Sequence, residues 1–189
     1  MYALRYMWWF LLLTLSAANA ADRCQQYVQT ERKAHALYFG LDFPYQYAVG
    51  QIKQESGCRD IESLDGEGST TPAQITKRVW QDQFNAVGIA SAHWSVQQAY
   101  IMHEAHKHNP YGKLWITYQQ YNGGALVLKE IARAGTPEWA AAKAKCRRGV
   151  THYRSGDISN CDINYDYSIK VFNYGKQYGE HISPTYPFW

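Results

Sequence analysis

The chain has 189 residues, a formal net charge of +3 at pH 7 and a hydrophobic content of 46%. These values suit one ordinary folded domain, and the scattered Lys and Arg residues exclude nucleic acid as an obvious partner. Aromatic residues make up 15% of the chain, with 16 Tyr and 7 Trp, and such side chains either fill a core or stack on sugar rings.

The first twenty residues (1–20) are predicted to be a signal peptide. Arg5 is their only charge, Met7 to Leu15 form a short apolar run, and Ala18-Asn19-Ala20 supplies small residues for cleavage. A membrane-spanning helix needs about 20 apolar residues, so an uncleaved anchor is the weaker alternative. The sequence thus predicts an exported protein with no stable membrane span after cleavage.

The mature chain contains four cysteines, an even number that favours two disulfides in an oxidising compartment. They are Cys24, Cys58, Cys146 and Cys161. Three connectivities are possible. We favour Cys24–Cys58, which would join the first helix to the loop after the second, and Cys146–Cys161, which would close a loop rich in small and polar residues. Because no C-x-x-C pair is present, a zinc site is the weaker alternative.

The predicted elements after the signal peptide are almost all helices. Pro44 suits the start of the second helix and Gly57 suits its end, and a polar, Gly-rich loop follows. The fold class is therefore mainly α, with many short helices in a domain spanning residues 21–182. Helices are predicted over 23–38, 44–56, 72–84, 95–108, 113–121, 125–134, 136–146 and 165–178, with loops over 57–71 and 147–164 and a C-terminal tail over 183–189.

Glu55 is the first candidate for chemistry. It follows Ala48 and Ile52 at helical spacing, so its carboxylate projects from the apolar face of the second helix. Burial there would raise its pKa, as a general acid at neutral pH requires. Taken alone, a Glu at a helix end is more commonly an ion-pairing or capping residue.

Four short motifs follow one another along the chain: Gln54-Glu55-Ser56-Gly57-Cys58, Gly68 to Thr76, Tyr121-Asn122-Gly123-Gly124, and Tyr167 with Val171. In this order they resemble the motifs of the soluble lytic transglycosylase (SLT) family, in the goose-type-lysozyme-like superfamily. The resemblance covers roughly Cys24 to Tyr178, and only the succession of motifs is specific. The chain departs from the family pattern at Thr71, Pro72-Ala73, Gly123 and Ser168.

This resemblance implies a lysozyme-like domain in the periplasm or cell envelope that cleaves peptidoglycan glycan strands without a cofactor or metal. It implies that Glu55 protonates the glycosidic oxygen between N-acetylmuramic acid (MurNAc) and N-acetylglucosamine (GlcNAc). Glu55 then deprotonates the muramyl C6 hydroxyl, which closes on C1 to give a 1,6-anhydro sugar. The substrate's own acetamido oxygen stabilises the positive charge between these steps.

The resemblance also implies four substrate-binding residues. Gln74 and Asn122 would bind the sugar backbone, Tyr121 would shape the groove, and Tyr167 would orient Glu55 or the acetamido group. Each has a structural alternative: packing for the tyrosines, helix capping for Gln74 and a turn for Asn122.

A lysozyme-type hydrolase is the main competing hypothesis. It would need a second carboxylate to activate water, and the loop after Glu55 offers several. A solvated acidic loop is the more common reason for such a pattern. The candidates are Asp60, Glu62, Asp65 and Glu67.

Two further alternatives concern metal binding and non-catalytic wall binding. His103 and His106 share a helix face, but the His-Glu-x-x-His pattern fails because position 107 is Lys, so an exposed polar face is favoured. A non-catalytic wall-binding module is disfavoured by the presence of Glu55. A role in secretion, conjugation or phage assembly is compatible with catalysis, although no sequence feature identifies such a partner.

Overall fold

The computed structural model describes residues 22–63, 68–153 and 156–189. The predicted signal peptide and the candidates Asp65 and Glu67 lie outside these ranges. Within them, no helix combines the length and apolar character needed to cross a membrane.

The described residues form eight α-helices and two small antiparallel sheets, so the prediction of a mainly α protein is confirmed. A 3-10 turn at Arg23–Tyr27 precedes the first helix. The helices are α1 (Val28–Phe39), α2 (Gln46–Ser56), α3 (Lys77–Ala86), α4 (Trp94–Lys107), α5 (Leu114–Gly123), α6 (Leu126–Ala134), α7 (Trp139–Ala144) and α8 (Asn160–Gly175), and the strands are β1 (Ser69–Thr70), β2 (Ile75–Thr76), β3 (Val150–Tyr153) and β4 (Gly156–Ser159).

Helix α2 ends sharply, as its sequence predicts. Gly57 adopts a left-handed conformation with φ of 64°, which glycine accepts without a steric penalty. Its N–H donates to the Lys53 carbonyl at 3.0 Å, and the Cys58 N–H donates to the Ile52 carbonyl at 3.1 Å. These bonds satisfy carbonyls of the last turn, and the chain leaves α2 immediately after Glu55 and Ser56.

Helices α2 and α8 cross at close range through two glycines. A Cβ atom on Gly50 would lie 2.3 Å from the Val171 carbonyl oxygen and 2.6 Å from the Gly175 nitrogen. A Cβ on Gly175 would lie 2.5 Å from Cδ1 of Tyr47. Only glycine permits this approach, which brings the residues of α8 beside the last turn of α2.

Helix α2 also contributes to two groups of buried apolar side chains. Ala48, fully buried, packs in the group that includes Trp115 of α5 and Val171 of α8. Ile52, equally buried, packs in the second group, which includes Phe84 of α3. Apolar side chains on both sides therefore hold the helix that carries Glu55.

Both predicted disulfides are confirmed. Cys24 pairs with Cys58 and links the 3-10 turn to the segment just after α2, with the two Cα atoms 5.2 Å apart. Cys146 pairs with Cys161 and links the end of α7 to the first turn of α8, with a Cα separation of 5.9 Å. No cysteine is free.

Several predicted boundaries were wrong. The segment 72–76, assigned to a helix, forms the turn and second strand of the β1–β2 hairpin, because Thr71 and Gln74 take positive φ angles of 74° and 52° and interrupt any helix. The helix predicted over 23–38 is divided into the 3-10 turn and α1. The helix predicted over 136–146 begins only at Trp139 and ends at Ala144.

The polar segment 147–164 is more ordered than predicted. It contains the β3–β4 hairpin and the first turn of α8, which begins at Asn160 rather than near 165. The Ser159 hydroxyl accepts the Cys161 N–H at 3.2 Å and caps α8, and the Cys146–Cys161 disulfide holds this turn. The polar side chains before position 165 therefore start a helix.

The C-terminal segment 183–189 packs on the helical body. Its carbonyl groups at Pro187 and Phe188 accept the N–H groups of Leu114 and Trp115, at 2.8 and 2.9 Å. These donors belong to the first turn of α5 and have no acceptor within their own helix. Phe188 is buried, so the predicted tail is part of the hydrophobic packing.

Candidate active site

A cleft of about 630 Å³ lies where the last turn of α2, the segment after it, the β1–β2 hairpin and the end of α5 meet. Four of the predicted site residues, Glu55, Gln74, Tyr121 and Asn122, line this cleft. They come from separate parts of the chain, and the close crossing of α2 and α8 adds Tyr167 behind Glu55. The structure thus brings all five predicted residues to one place.

The Glu55 carboxyl group accepts a hydrogen bond from helix α8. The Tyr167 hydroxyl donates to its Oε1 atom at 2.5 Å. Burial raises the pKa of Glu55 from 4.5 to about 7, and the hydrogen bond from Tyr167 partly offsets the rise. A carboxyl group with this pKa is protonated in a large fraction of molecules at neutral pH and can also act as a base after losing its proton.

The two tyrosines of the site remain neutral hydrogen-bond donors. Burial, with a further contribution from the Glu55 charge, raises the pKa of Tyr167 well above its ordinary value of 10.0. The same two causes raise the pKa of Tyr121 in the same direction. Tyr167 is only 4% exposed, so its hydroxyl is held on Glu55 by surrounding packing.

A layer of buried amides lies behind this pair. Gln51, one helical turn before Glu55, accepts a hydrogen bond from the Gln98 side chain of α4 at 2.8 Å. Both glutamines are fully buried. This bond joins α2 to α4 on the core side of the site, where a loss of pairing would be costly.

Two residues of the site hold the wall formed by the turn after β1. The Ser56 hydroxyl donates to the Pro72 carbonyl at 2.9 Å, and the Tyr121 hydroxyl donates to the Ala73 carbonyl at 2.8 Å. These bonds join the ends of α2 and α5 to the hairpin. Tyr121 therefore shapes the cleft through its hydroxyl group, and Ser56 contributes to the same wall.

Gln74 and Asn122 are placed differently within the cleft. The Gln74 side-chain nitrogen donates to the carbonyls of Ile61 and Thr71, both at 2.9 Å, so it ties the segment after α2 to the hairpin. Asn122 is exposed near the end of α5 and faces the open cleft. Asn122 is thus the more accessible of these two amides.

Several cleft residues were not predicted as binding or wall-forming groups, among them Ser56, Arg59 and Ile61. Ser56 belongs to the first motif, and its position next to Glu55 was the available signal. Arg59 comes four residues after Glu55, but only the sharp turn at Gly57 directs the following chain back along the cleft. That direction depends on tertiary structure.

Of the acidic residues proposed for water activation, Glu62 lines the cleft and Asp60 does not. The cleft therefore contains two carboxylates among the described residues, Glu55 and Glu62. No group of three or more His, Cys, Asp or Glu side chains suited to a metal ion occurs in the ranges that the structure describes. His106 instead forms a 2.9 Å hydrogen bond with the Thr117 hydroxyl.

This arrangement can perform proton transfer to and from a ligand held in an open cleft. It offers a carboxyl group with a pKa near neutral pH, the neutral Tyr167 phenol that donates to this carboxyl group, and exposed polar groups along the walls. Comparisons with family models, with curated proteins and with solved structures found no match to this chain.

Proposed function

We propose that the chain is a peptidoglycan lytic transglycosylase that cleaves the β-1,4 bond between MurNAc and GlcNAc and leaves 1,6-anhydro-MurNAc ends. The observation that carries the proposal is Glu55 at the end of α2. It lies in a cleft, is bonded by Tyr167 and has a pKa raised to about 7. The four ordered motifs that contain these residues support the same reaction.

The first step requires protonated Glu55. Its proton passes to the glycosidic oxygen as the bond between that oxygen and the muramyl C1 breaks, and the GlcNAc side leaves as an alcohol. The acetamido oxygen of the same muramyl sugar bonds to C1 and carries the positive charge through its amide. The burial that raises the pKa of Glu55 favours this step because it keeps the acid protonated.

The second step uses Glu55 as a carboxylate. It removes the proton from the muramyl C6 hydroxyl, whose oxygen bonds to C1 and displaces the acetamido oxygen. Glu55 is then protonated again, and no water is consumed. The Tyr167 hydroxyl stabilises the carboxylate between the two steps, since a hydrogen bond to the charged form favours that form.

The remaining site residues fit a sugar-binding cleft. Asn122 offers an exposed amide to sugar hydroxyls, and Gln74 and Tyr121 hold the hairpin that forms one wall. The helical class is compatible with a lysozyme-like domain. The two disulfides are compatible with export to an oxidising periplasm or cell envelope, where the substrate is found.

One observation favours a second candidate, a hydrolase of the lysozyme type. Glu62 lines the same cleft as Glu55 and could activate a water molecule against C1. The products distinguish the two reactions, because water attack leaves a reducing end and intramolecular attack leaves an anhydro end.

Mass spectrometry of muropeptides released from purified peptidoglycan tests the proposal, with the Glu55→Gln variant beside the parent. We expect anhydro-muramyl ends from the parent and at least about a thousandfold slower release from the variant, which keeps the shape but cannot supply a proton. If the parent releases products with reducing ends, the reaction is hydrolysis and the proposal is wrong. Wall binding without products from either protein would indicate a binding module.

A further inference from the structure

Among the described residues that line the proposed active-site cleft, Arg59 is the one with a cationic side chain. The backbone N–H of Arg59 donates to the Ser56 hydroxyl at 3.0 Å, and its Nε donates to the Ser56 carbonyl at 2.8 Å. The first bond fixes the Arg59 backbone, and the second holds its side chain against the end of α2. The remaining guanidinium N–H groups of Arg59 lie at the cleft that Glu55 also lines.

The charge of Arg59 has no carboxylate partner in the described part of the chain. The ion pairs there involve other cations, although Glu55 and Glu62 line the same cleft. The pKa of Glu55 is set by burial and by Tyr167, with no contribution from Arg59. Arg59 therefore does not set the pKa of Glu55, and no carboxylate among the described residues competes with a ligand for its remaining N–H donors.

The side chain suits an anionic ligand group of a particular shape. A guanidinium presents paired N–H donors that match the two oxygens of a carboxylate, and it stays charged at every pH of interest. Because its Nε is already fixed on Ser56, little conformational entropy remains to be lost when a ligand binds.

We infer that Arg59 binds a carboxylate carried by the glycan strand and so makes the cleft selective for acidic over neutral strands. The inference rests on the proposed function. In peptidoglycan the acidic substituent, a lactyl group or the peptide attached to it, is borne by the muramyl sugar whose C1 reacts. Because Glu55 and Arg59 line the same cleft, a strand bound with that C1 at Glu55 brings the acidic substituent into the cleft that contains Arg59.

The test compares two substrates, purified peptidoglycan and the same material with its carboxylates converted to amides. Initial rates are measured at low salt for the parent, Arg59→Gln, Arg59→Lys and the control Arg23→Gln, an exposed arginine outside the cleft lining. For the parent and the control, we expect amidation to slow cleavage about tenfold, the usual effect of losing one charge-assisted hydrogen bond.

For Arg59→Gln, we expect a loss of about tenfold on native peptidoglycan and no loss on the amidated substrate, so discrimination disappears. Arg59→Lys should recover part of the discrimination because it keeps the charge. If Arg59→Gln slows the cleavage of both substrates equally, Arg59 only stabilises the end of α2, and the inference is overturned. Unchanged discrimination in Arg59→Gln would overturn it as well.

The type of product separates this inference from the proposed reaction. If the parent produces anhydro ends and Arg59→Gln still discriminates between the two substrates, the proposed reaction is supported and only the role of Arg59 is rejected. If no strand is cut, co-sedimentation with native and amidated peptidoglycan applies the same comparison to binding. Loss of the preference for native material in Arg59→Gln would then support the inference, and an unaltered preference would overturn it.

Discussion

At the scale of single residues, Glu55 and Tyr167 form a pair with opposite effects on the carboxyl pKa. Burial raises that pKa and the phenol hydrogen bond lowers it, so the value of about 7 is a balance of the two. The balance matters because one carboxyl group must both give and take a proton in the proposed reaction.

Protein stability should reveal the raised pKa. Between pH 4.5 and about 7, folded Glu55 holds a proton that the unfolded chain releases, so stability falls as pH rises through this window. Neutral Gln removes this effect. We therefore expect Glu55→Gln to be more stable than the parent at pH 8. The difference in the free energy of unfolding should be at most about 3 kcal/mol, reduced by solvent screening in the open cleft, and it should be smaller at pH 5.

Urea unfolding at pH 5 and pH 8 measures this difference. Glu180→Gln, at an exposed position, is the control that makes the same change of charge, and it should show little dependence on pH. A Glu55→Gln advantage of equal size at both pH values would contradict the raised pKa.

The Tyr167→Phe variant removes the donor while it keeps the ring. The pKa of Glu55 should rise further, because a bond that favours its charged form is lost. We expect the alkaline limb of the pH–rate profile to move to higher pH and the maximal rate to fall about tenfold to a hundredfold.

Tyr165→Phe is a matched control for that variant. Tyr165 lies two residues earlier on α8, is fully buried and donates to a different carboxylate, Glu130, at 2.8 Å. The Tyr165→Phe variant should have a lower free energy of unfolding than the parent and an unchanged pH–rate profile. If both variants shift the profile alike, the effect comes from packing of α8 rather than from the bond to Glu55.

At the scale of elements, the crossing of α2 and α8 decides whether Tyr167 reaches Glu55. In Gly50→Ala the new Cβ would meet the backbone at Val171 and Gly175, which cannot rotate away. Alanine normally favours a helix over glycine by about 1 kcal/mol, and overpacking normally costs about 1–3 kcal/mol. Because the contact is with backbone at 2.3 Å, we expect net destabilisation and weaker activity.

Thermal unfolding and initial rates measure that outcome. Gly149→Ala is the control, since the nearest atom to a Cβ there, the Asn160 side-chain nitrogen, would be 3.9 Å away. The control should retain both stability and activity. A Gly50→Ala protein as stable and active as the parent would contradict the account of the crossing.

Some elements were predictable because their signals are local. Pro44 and Gly57 bound the second helix within a few residues, and this was enough to place Glu55 in its last turn. The β1–β2 hairpin was missed because it depends on left-handed residues at Thr71 and Gln74, which are uncommon outside glycine. The start of α8 was missed because polar residues in a first helical turn resemble a loop.

The site shows the same division between local and non-local information. The ordered motifs identified Glu55 and Tyr167 as candidate site residues. The 2.5 Å contact between these two residues, however, depends on a crossing between helices that lie more than one hundred positions apart in the chain. The contacts that fix Arg59 follow from the turn after α2. Sequence periodicity does not encode such distances, which arise from packing.

At the scale of the whole molecule, covalent and terminal contacts hold the helices around the cleft. The Cys24–Cys58 disulfide fixes the segment that leads from Glu55 to Arg59, and the C-terminal segment completes the first turn of α5, whose far end carries Tyr121 and Asn122. Both cleft walls are therefore anchored from outside the cleft, as a preorganised site requires.

The most direct test of the central claim is digestion of peptidoglycan in water enriched in oxygen-18, followed by mass analysis of the new muramyl ends. Attack by the C6 hydroxyl predicts anhydro ends that contain no heavy oxygen, and their release should depend on Glu55. Incorporation of one heavy oxygen at each new end would show that water attacks C1, and it would contradict the proposed mechanism in favour of hydrolysis.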